Sequence, residues 1–519
     1  MAKQEASVVK YFHAIRASPR EIFNRHLILA VFAFALGGCA KGWDEGSTAA
    51  ISELPSFNSK YNLNSTVLSN VVSLVNLGAG VGALLSFLLN DRVGRIWAMR
   101  IYQSTYIVGT LISCLSYGHV GALYVGRIVA GLGIGALTVV CPMAIAEIAP
   151  KTTRGLMTLW FNLCMLSSQA IGSFTVLGCS LHISDSRDLQ YQTPWFVQTF
   201  PPAISLICSF FINESPRWLI INNQPQKSLL SLTNLRQLPQ TDPYVETEFN
   251  GMITQIESRD SGLGNLRLIQ IVKETFSIRS NLRRVQLTVM AYILAQMSGA
   301  NAVTNYLPTI FGLIGIKGSS MQLTTSALYS IAKLIFCTAG SLFLVDVVGR
   351  RKSLLLGIAI QIICHSYIAG YLSFVIKDSS SVSKGASDGA IAMIYIHALG
   401  WAIGLYSLPY LFGAELWPNR IRSFGGALSQ CFHWLFYFAI TKATPSMLEN
   451  SNQWGTFVLF DGFCVVAIIY TYFFVPETSG LSLEAIDKIF ERPWYRLGQP
   501  LSQHDLSHVK NDEKWIEKA

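Results

Sequence analysis

Two adjacent carboxylates, Asp44 and Glu45, stand at the end of an otherwise apolar run, in the stretch GGCAKGWDEGSTAAI from Gly37 to Ile51. A carboxylate at membrane depth is costly unless it faces a water-filled cavity, meets a cation or takes up a proton as part of its work. The cation assigned to Asp44 is Arg127, in YVGRIVAGLGIG at the opening of another apolar run. Such a pair is a titratable switch, because protonating the acid breaks it. The other chemistry within apolar runs belongs to amides. Gln296, Asn301 and Asn305 follow one another at offsets of five and four, which puts Gln296 well off the Asn301 face of an unbroken helix; Gly299 offers the break that would reunite them. Asn162 and Gln169 are seven apart and share a helical face. Amides donate and accept, as a polyhydroxylated ligand demands, although interhelical bonding would use the same residues. Lys333 is a weaker candidate, for an acidic substrate, while His365, His397, Lys442 and Asp461 are assigned to neighbours, backbone or interface water.

The elements that position these residues follow from composition. Of 519 residues, 51% are hydrophobic and 13% charged, against a charged share of about a quarter in soluble proteins. This is a membrane protein, with the lipid bilayer as its partner. The formal charge of +9 does not indicate nucleic acid, because Lys and Arg are spread over short connectors instead of forming one stripe. All ten cysteines lie in or beside apolar runs, where Cys is a small packing residue. No disulfide, metal site or cofactor is expected; the CxxH of Cys179 and His182 has no second ligand pair. The N-terminal stretch MAKQEASVVKYFHAIRASPREIFNRH lacks the apolar core of a cleaved signal peptide, so the first span is expected to direct insertion.

Runs long enough to span, about 20 residues each, lie near 27–49, 66–89, 97–117, 121–145, 156–178 and 194–213, then near 285–311, 321–345, 353–376, 390–413, 424–447 and 455–475. The expected organisation is an N-terminal segment 1–26, a six-helix half 27–213, a loop 214–284 with short amphipathic helices, a second half 285–475 and a charged tail 476–519. Lys and Arg are retained on the cytoplasmic side. One set of short loops carries Arg92, Arg95, Arg100, Lys151, Arg154, Arg350, Arg351, Lys352, Arg420 and Arg422, against Lys60, Arg187, Lys317, Lys377 and Lys384 on the other. Both termini and the central loop are therefore expected in the cytoplasm. The sequon at Asn64 then lies outside, open to glycosylation, while the one at Asn213 lies inside and stays bare.

An internal repeat is visible. Asp91-Arg-Val-Gly94-Arg95 recurs as Asp346-Val-Val-Gly349-Arg350, and Glu147-Ile-Ala-Pro150 with Arg154 recurs as Glu415-Leu-Trp-Pro418 with Arg422. Glu214-Ser-Pro after the sixth run matches Glu477-Thr-Ser after the twelfth. Similar offsets of roughly 255 to 270 residues indicate two homologous halves around a central cavity. Asp91, Glu147 and Glu214 oppose Arg92, Arg95 and Arg154; Asp346, Glu415 and Glu477 oppose Arg350, Arg351 and Arg422. Ion pairs here would hold the inner helix ends together while the cavity opens outward. The plainer alternative is that the arginines set topology and the acids cap helices.

The set DRVGR, GRIVAGLGIGALTVVCPMAIAEIAPKTTRG, ESPRWL, QMSGANAVTNYLPTIF, VDVVGRRK, PYLFGAELWPNRIR and PETSGLSLEAI, spread over residues 25 to 490, resembles the sugar porter family of the major facilitator superfamily, in a form similar to fungal sugar and quinate permeases. The resemblance implies an all-α membrane protein with the major facilitator fold, twelve transmembrane helices in two pseudo-symmetric six-helix halves, working by alternating access. It also implies substrate hydrogen bonds from Gln296 and Asn301. Ala295-Gln296 stands where a Gln pair is usual, and Asn305-Tyr306 where a Tyr pair is common, so one amide is missing and another has appeared. Asn162 and Gln169 resemble two family glutamines. Tyr410 stands where Trp is usual and His433-Trp434 where an amide-Trp pair is usual, and such aromatics stack on a sugar's C–H face.

The function expected is proton-coupled symport of a sugar, polyol or quinate-like acid by a monomer in the plasma membrane, with protons and a small polyhydroxylated substrate as partners. An uncoupled facilitator of the same fold is the first alternative, and family facilitators commonly have a neutral residue in place of Asp44. A sensor that binds without transport usually needs a longer cytoplasmic tail, and drug efflux an apolar cavity. Nothing resembles a nucleotide loop, a zinc motif or a nucleophile triad, so no enzyme is expected.

Overall fold

The computed structural model describes residues 19–150, 152–260, 268–344, 349–377, 383–406, 416–418, 421–477, 489–490 and 492. Asp346, Tyr410 and Glu415 lie outside the described residues, and so does the side chain of Arg422. The membrane helices are α1 (Arg25–Ala35 and Gly38–Ile51), α2 (Ser65–Val93), α3 (Arg95–Cys114), α4 (Val120–Ile148), α5 (Arg154–His182) and α6 (Leu189–Val197 and Phe200–Cys208) in the first half. The second half holds α7 (Arg279–Met297, Ala300–Asn305 and Leu307–Leu313), α8 (Ser319–Ala339), α9 (Arg350–Lys377), α10 (Lys384–Ile403), α11 (Arg422–Asn450) and α12 (Trp454–Phe474). Together they place six membrane helices in each half, the arrangement the resemblance implies. Between the halves run three longer surface helices, Pro225–Arg236, Pro243–Asp260 and Leu268–Ser277.

Local chemistry sets the helix ends and breaks. Asn24 opens α1 by accepting from His26 N (2.9 Å) and Leu27 N (3.0 Å), and Asn64 opens α2 by accepting from Val67 N (2.8 Å). These side-chain oxygens satisfy amides that a first helical turn leaves unpaired. Pro194 lies inside the first piece of α6, and Pro201 opens the second, where an N–H is not missed. Eight helical segments are long and apolar enough to cross a membrane. The helices not among them are α3, α6, α7 and α11; α6 and α7 are interrupted, and α7 carries Gln296, Asn301 and Asn305.

Outward-facing side chains such as Val81, Leu85, Leu88, Val108, Ile171 and Ile207 expose 40–60% of their surface. A continuous apolar exterior of this kind is stable against lipid and not against water. The inside is built by close approach. On α1, a Cβ at Gly42 would lie 1.7 Å from the Met165 carbonyl oxygen, and one at Gly46 would lie 2.1 Å from that of Gln169. Only glycine lets α1 lie backbone to backbone on α5, which brings the acid pair next to the centre of the bundle.

The halves meet along α2 with α11 and α5 with α8. Asn76 Nδ2 donates to Thr441 Oγ1 at 3.2 Å, and the Ser173 and Ser330 hydroxyls bond at 3.1 Å. Nearer the opposite helix ends, Thr309 on α7 donates to Glu53 at 2.7 Å, and Lys442 on α11 donates to Ser69 (3.0 Å) and to Asn70 on α2. At the charged ends, Ser423 Oγ reaches Asp91 Oδ2 at 3.4 Å.

Candidate functional site

Asp44 and Arg127 meet. Both are buried, at 6% and 2% exposure, and the guanidinium grips the carboxylate at two points: Nη1 donates to Oδ1, and Nη2 donates to Oδ2 at 3.1 Å. Arg127 Nε donates to the Val71 carbonyl (2.8 Å) and Thr48 Oγ1 to Asp44 Oδ1 (3.3 Å). The pair therefore ties α1 to α4 and α2. A planar fork on a carboxylate is a strong, directional contact, and removing either charge leaves the other buried alone.

The break in α7 at Gly299 puts the amides in register. Gly299 has φ +81° and a Cβ there would strike the Phe460 ring at 2.3 Å, so the left-handed turn belongs to glycine. The Ser298 carbonyl freed by the break accepts from His365 Nε2 at 2.9 Å. Across the break Asn301 Nδ2 donates to Gln296 Oε1 at 2.7 Å, and Gln296 Nε2 donates to His433 Nδ1 at 3.2 Å. An amide nitrogen only donates, so Nδ1 accepts and the proton of a neutral His433 sits on Nε2. Asn305 Nδ2 bonds the Asn301 carbonyl and Tyr437 Oη, both at 2.7 Å. Tyr437 stacks on Trp434, with ring centroids 5.8 Å apart and planes 8° off parallel. Gln296, Asn301, Asn305, His433 and Trp434 thus form one group, whereas buried Gln169 and half-buried Asn162, on α5, have no bond to it.

Glu45 belongs to this group and not to the Asp44 pair. Tyr437 Oη donates to its Oε1 at 3.2 Å, Lys41 Nζ lies 3.7 Å from Oε1, and Lys333 Nζ lies 3.8 Å from Oε2. Lys41 also stands 4.8 Å from the Trp434 ring centre. Sequence reasoning missed Lys41 and Tyr437. Their signals were one helical turn of spacing: Lys41 precedes Glu45 by four residues, and Tyr437 follows His433 by four.

At the charged ends Arg95 is buried and joins three helices. Its Nε and Nη2 both bond Glu147 at 2.9 Å, and Nη1 bonds Asp91 and the Asn90 carbonyl at 3.0 Å. Ser215 Oγ donates to Glu147 at 2.5 Å. Glu214 caps α3, accepting from the backbone N–H of Arg95 (3.0 Å), Ile96 (3.1 Å) and Ser215 (2.9 Å). Burial pushes its carboxyl above the ordinary range, against the pull of those three donors. Glu477 repeats the cap on α9, accepting from Arg350 N (3.2 Å) and Arg351 N (3.1 Å). Two expected members stand apart. Arg92 is exposed and makes no ion pair with a described residue, and Arg154 lies more than ion-pairing distance from Glu147. A cation that spacing did not suggest takes a place beside them: buried Arg236, on the surface helix Pro225–Arg236, binds Glu248 at 2.8 and 2.9 Å and the Ile148 carbonyl ending α4 at 3.0 Å.

The model of the sugar (and other) transporter family matches residues 30–490. The chain belongs to that family. This sugar porter of the major facilitator superfamily is a transporter and not an enzyme. It is 28% identical to the quinate permease of Emericella nidulans over 486 residues, 92% of this chain and 91% of the relative. Against the quinate permease of Neurospora terricola it is 27% identical over 519 residues, 96% and 95% of the two chains. Its fold is similar to that of the proton:xylose symporter XylE bound to 6-bromo-6-deoxy-D-glucose, at TM-score 0.73 and 20% identity, covering 90% of this chain and 99% of that one. In this sugar porter the buried ion pair and the amide group meet at adjacent residues of α1, Asp44 bonding Arg127 on α4 and Glu45 bonding Tyr437 on α11.

Proposed function

We propose that this porter carries a sugar, polyol or quinate-like molecule into the cell in symport with protons. The observation that carries the proposal is the Asp44–Arg127 pair, buried and doubly bonded within the membrane. In this reading protonation of Asp44 releases Arg127 and lets the loaded protein reorient, while Gln296, Asn301, Asn305, His433, Trp434 and Tyr410, with Asn162 and Gln169 across the cavity, hold the hydroxyls. The relatives named quinate permease support a carbocyclic polyol acid among the substrates. The charged ends, with Arg95–Glu147 and the capping glutamates, act as inner locks. We assign the protein to the plasma membrane as a monomer, with both termini and the 214–284 segment in the cytoplasm and Asn64 on the outer face, as the Lys and Arg distribution supports. Uptake of labelled hexoses, pentoses, polyols and quinate into a transport-null cell, with and without a protonophore, tests this. Accumulation that the protonophore abolishes is expected; equilibration without accumulation would instead identify a facilitator, and binding without uptake a sensor.

A further inference from the structure

Lys333 on α8 is 3% exposed, and its ammonium makes no hydrogen bond with a described residue. The nearest carboxylate oxygen, Glu45 Oε2, lies 3.8 Å away, beyond hydrogen-bond reach. Lys41, 6% exposed on α1, approaches the other oxygen of the same carboxylate at 3.7 Å. A buried ammonium brings a full charge and three donors, and both are costly to leave unanswered. Lys333 has no carboxylate but Glu45 within ion-pairing distance among the described residues, and it shares that acid with Lys41, which also stands over Trp434; Asp44 is occupied by Arg127. His433, on the other side of Gln296, accepts a hydrogen bond through Nδ1 and adds no negative charge. The position is also continuous with the amides, because Asn305 donates to Tyr437 and Tyr437 donates to Glu45.

We propose that Lys333 and Lys41 form a carboxylate subsite, that the substrate is a polyhydroxylated monocarboxylate, and that its carboxylate takes Lys333 over from Glu45. The proposal rests on the transport reading above and narrows it. Hydroxyls of such a molecule meet Gln296, Asn301 and Asn305 while its acid group supplies the acceptors that Lys333 lacks. A neutral polyol of the same size fills the amide positions and leaves the ammonium unanswered, the kind of mismatch that separates substrates most strongly. The exchange has a mechanical consequence. Glu45 belongs to the first half, and Lys333 and Tyr437 belong to the second, so freeing Glu45 from Lys333 removes a tie between halves at the moment the site fills.

The test compares acids (quinate, gluconate) with neutral polyols (glucose, inositol), by uptake into transport-null cells and by ligand-induced thermal shift of the purified full chain. The parent protein should prefer the acids. Lys333→Gln should lower the acid-to-neutral ratio about ten-fold or more, the size of one lost charged hydrogen bond, and Lys333→Arg should keep much of it. A well-folded Lys333→Gln with an unchanged ratio, or a parent protein that takes neutral polyols and rejects both acids, would overturn the subsite while leaving transport intact. If the parent protein neither binds nor carries any of the four, the transport reading falls and the subsite with it.

Discussion

Gly94 and Gly349 share a positive φ, +92° and +90°, each beneath a glutamate that caps the helix beginning at the next residue. A Cβ would lie 2.6 Å from Glu214 Oε2 at the first position and 3.2 Å from Glu477 Oε2 at the second. The repeat read from DRVGR and DVVGR is therefore a repeated joint, in which glycine supplies the turn and a distant glutamate supplies the cap.

Alanine at either glycine should destabilise the fold, by about 1–3 kcal/mol of backbone strain. Gly94→Ala should be the worse of the two because its Cβ contact is shorter. Thermal unfolding in detergent checks the order; equal melting temperatures for Gly94→Ala and the parent would mean the joint tolerates a side chain.

Glu214 gives the joint a pH dependence. A carboxyl whose pKa is raised on folding holds its proton more tightly in the folded chain. Its contribution to stability is present below the unfolded pKa and is lost as pH rises through the folded value. Relative to Glu214→Gln, which is neutral throughout, the parent should lose melting temperature as pH is raised from the acid side through that window. Parallel curves for the two proteins would contradict the raised pKa.

Arg95 and Arg92 separate a lock from a topology signal. Arg95 bonds Glu147 twice, so Arg95→Ala removes the guanidinium from a partly buried acid and should slow the transport cycle or favour the inward-open state. Arg92 is exposed, and Arg92→Ala should leave rates near those of the parent. Accessibility labelling of the cavity from outside reads the difference; identical labelling in Arg95→Ala and parent would remove the lock.

The amides should act as a unit. Gln296→Ala and Asn301→Ala should each weaken substrate affinity by about 1–3 kcal/mol, because each strands a buried partner. Their double variant should lose less than the sum, since Asn301 donates to Gln296. Unchanged uptake affinity at normal surface expression would take α7 out of the site.

Much of this arrangement is legible in the sequence. Asp44 and Arg127 announce themselves because charge inside an apolar run needs a partner, and long apolar runs fix helix number. Gln296 and Asn301 fall off one face of an unbroken helix, and the break that Gly299 offers to reunite them is present. What periodicity could not give was partner choice between distant helices. Glu45 reads as a spare acid beside Asp44, yet successive helical residues point about 100° apart, and it is this rotation that sends one to Arg127 and the other to Lys333 and Tyr437. Arg92 and Arg95 look equivalent in sequence for the same reason, although one faces out and the other is buried.

Coupling is tested most directly in proteoliposomes holding purified parent protein or Asp44→Asn, with the compound the parent takes up, under an imposed inward proton gradient and in counterflow without one. Asp44→Asn imitates the protonated acid, so it should still exchange substrate in counterflow while losing gradient-driven accumulation and its pH dependence. A folded Asp44→Asn protein that still accumulates substrate against its gradient, with the pH profile of the parent, would contradict Asp44 as the proton carrier.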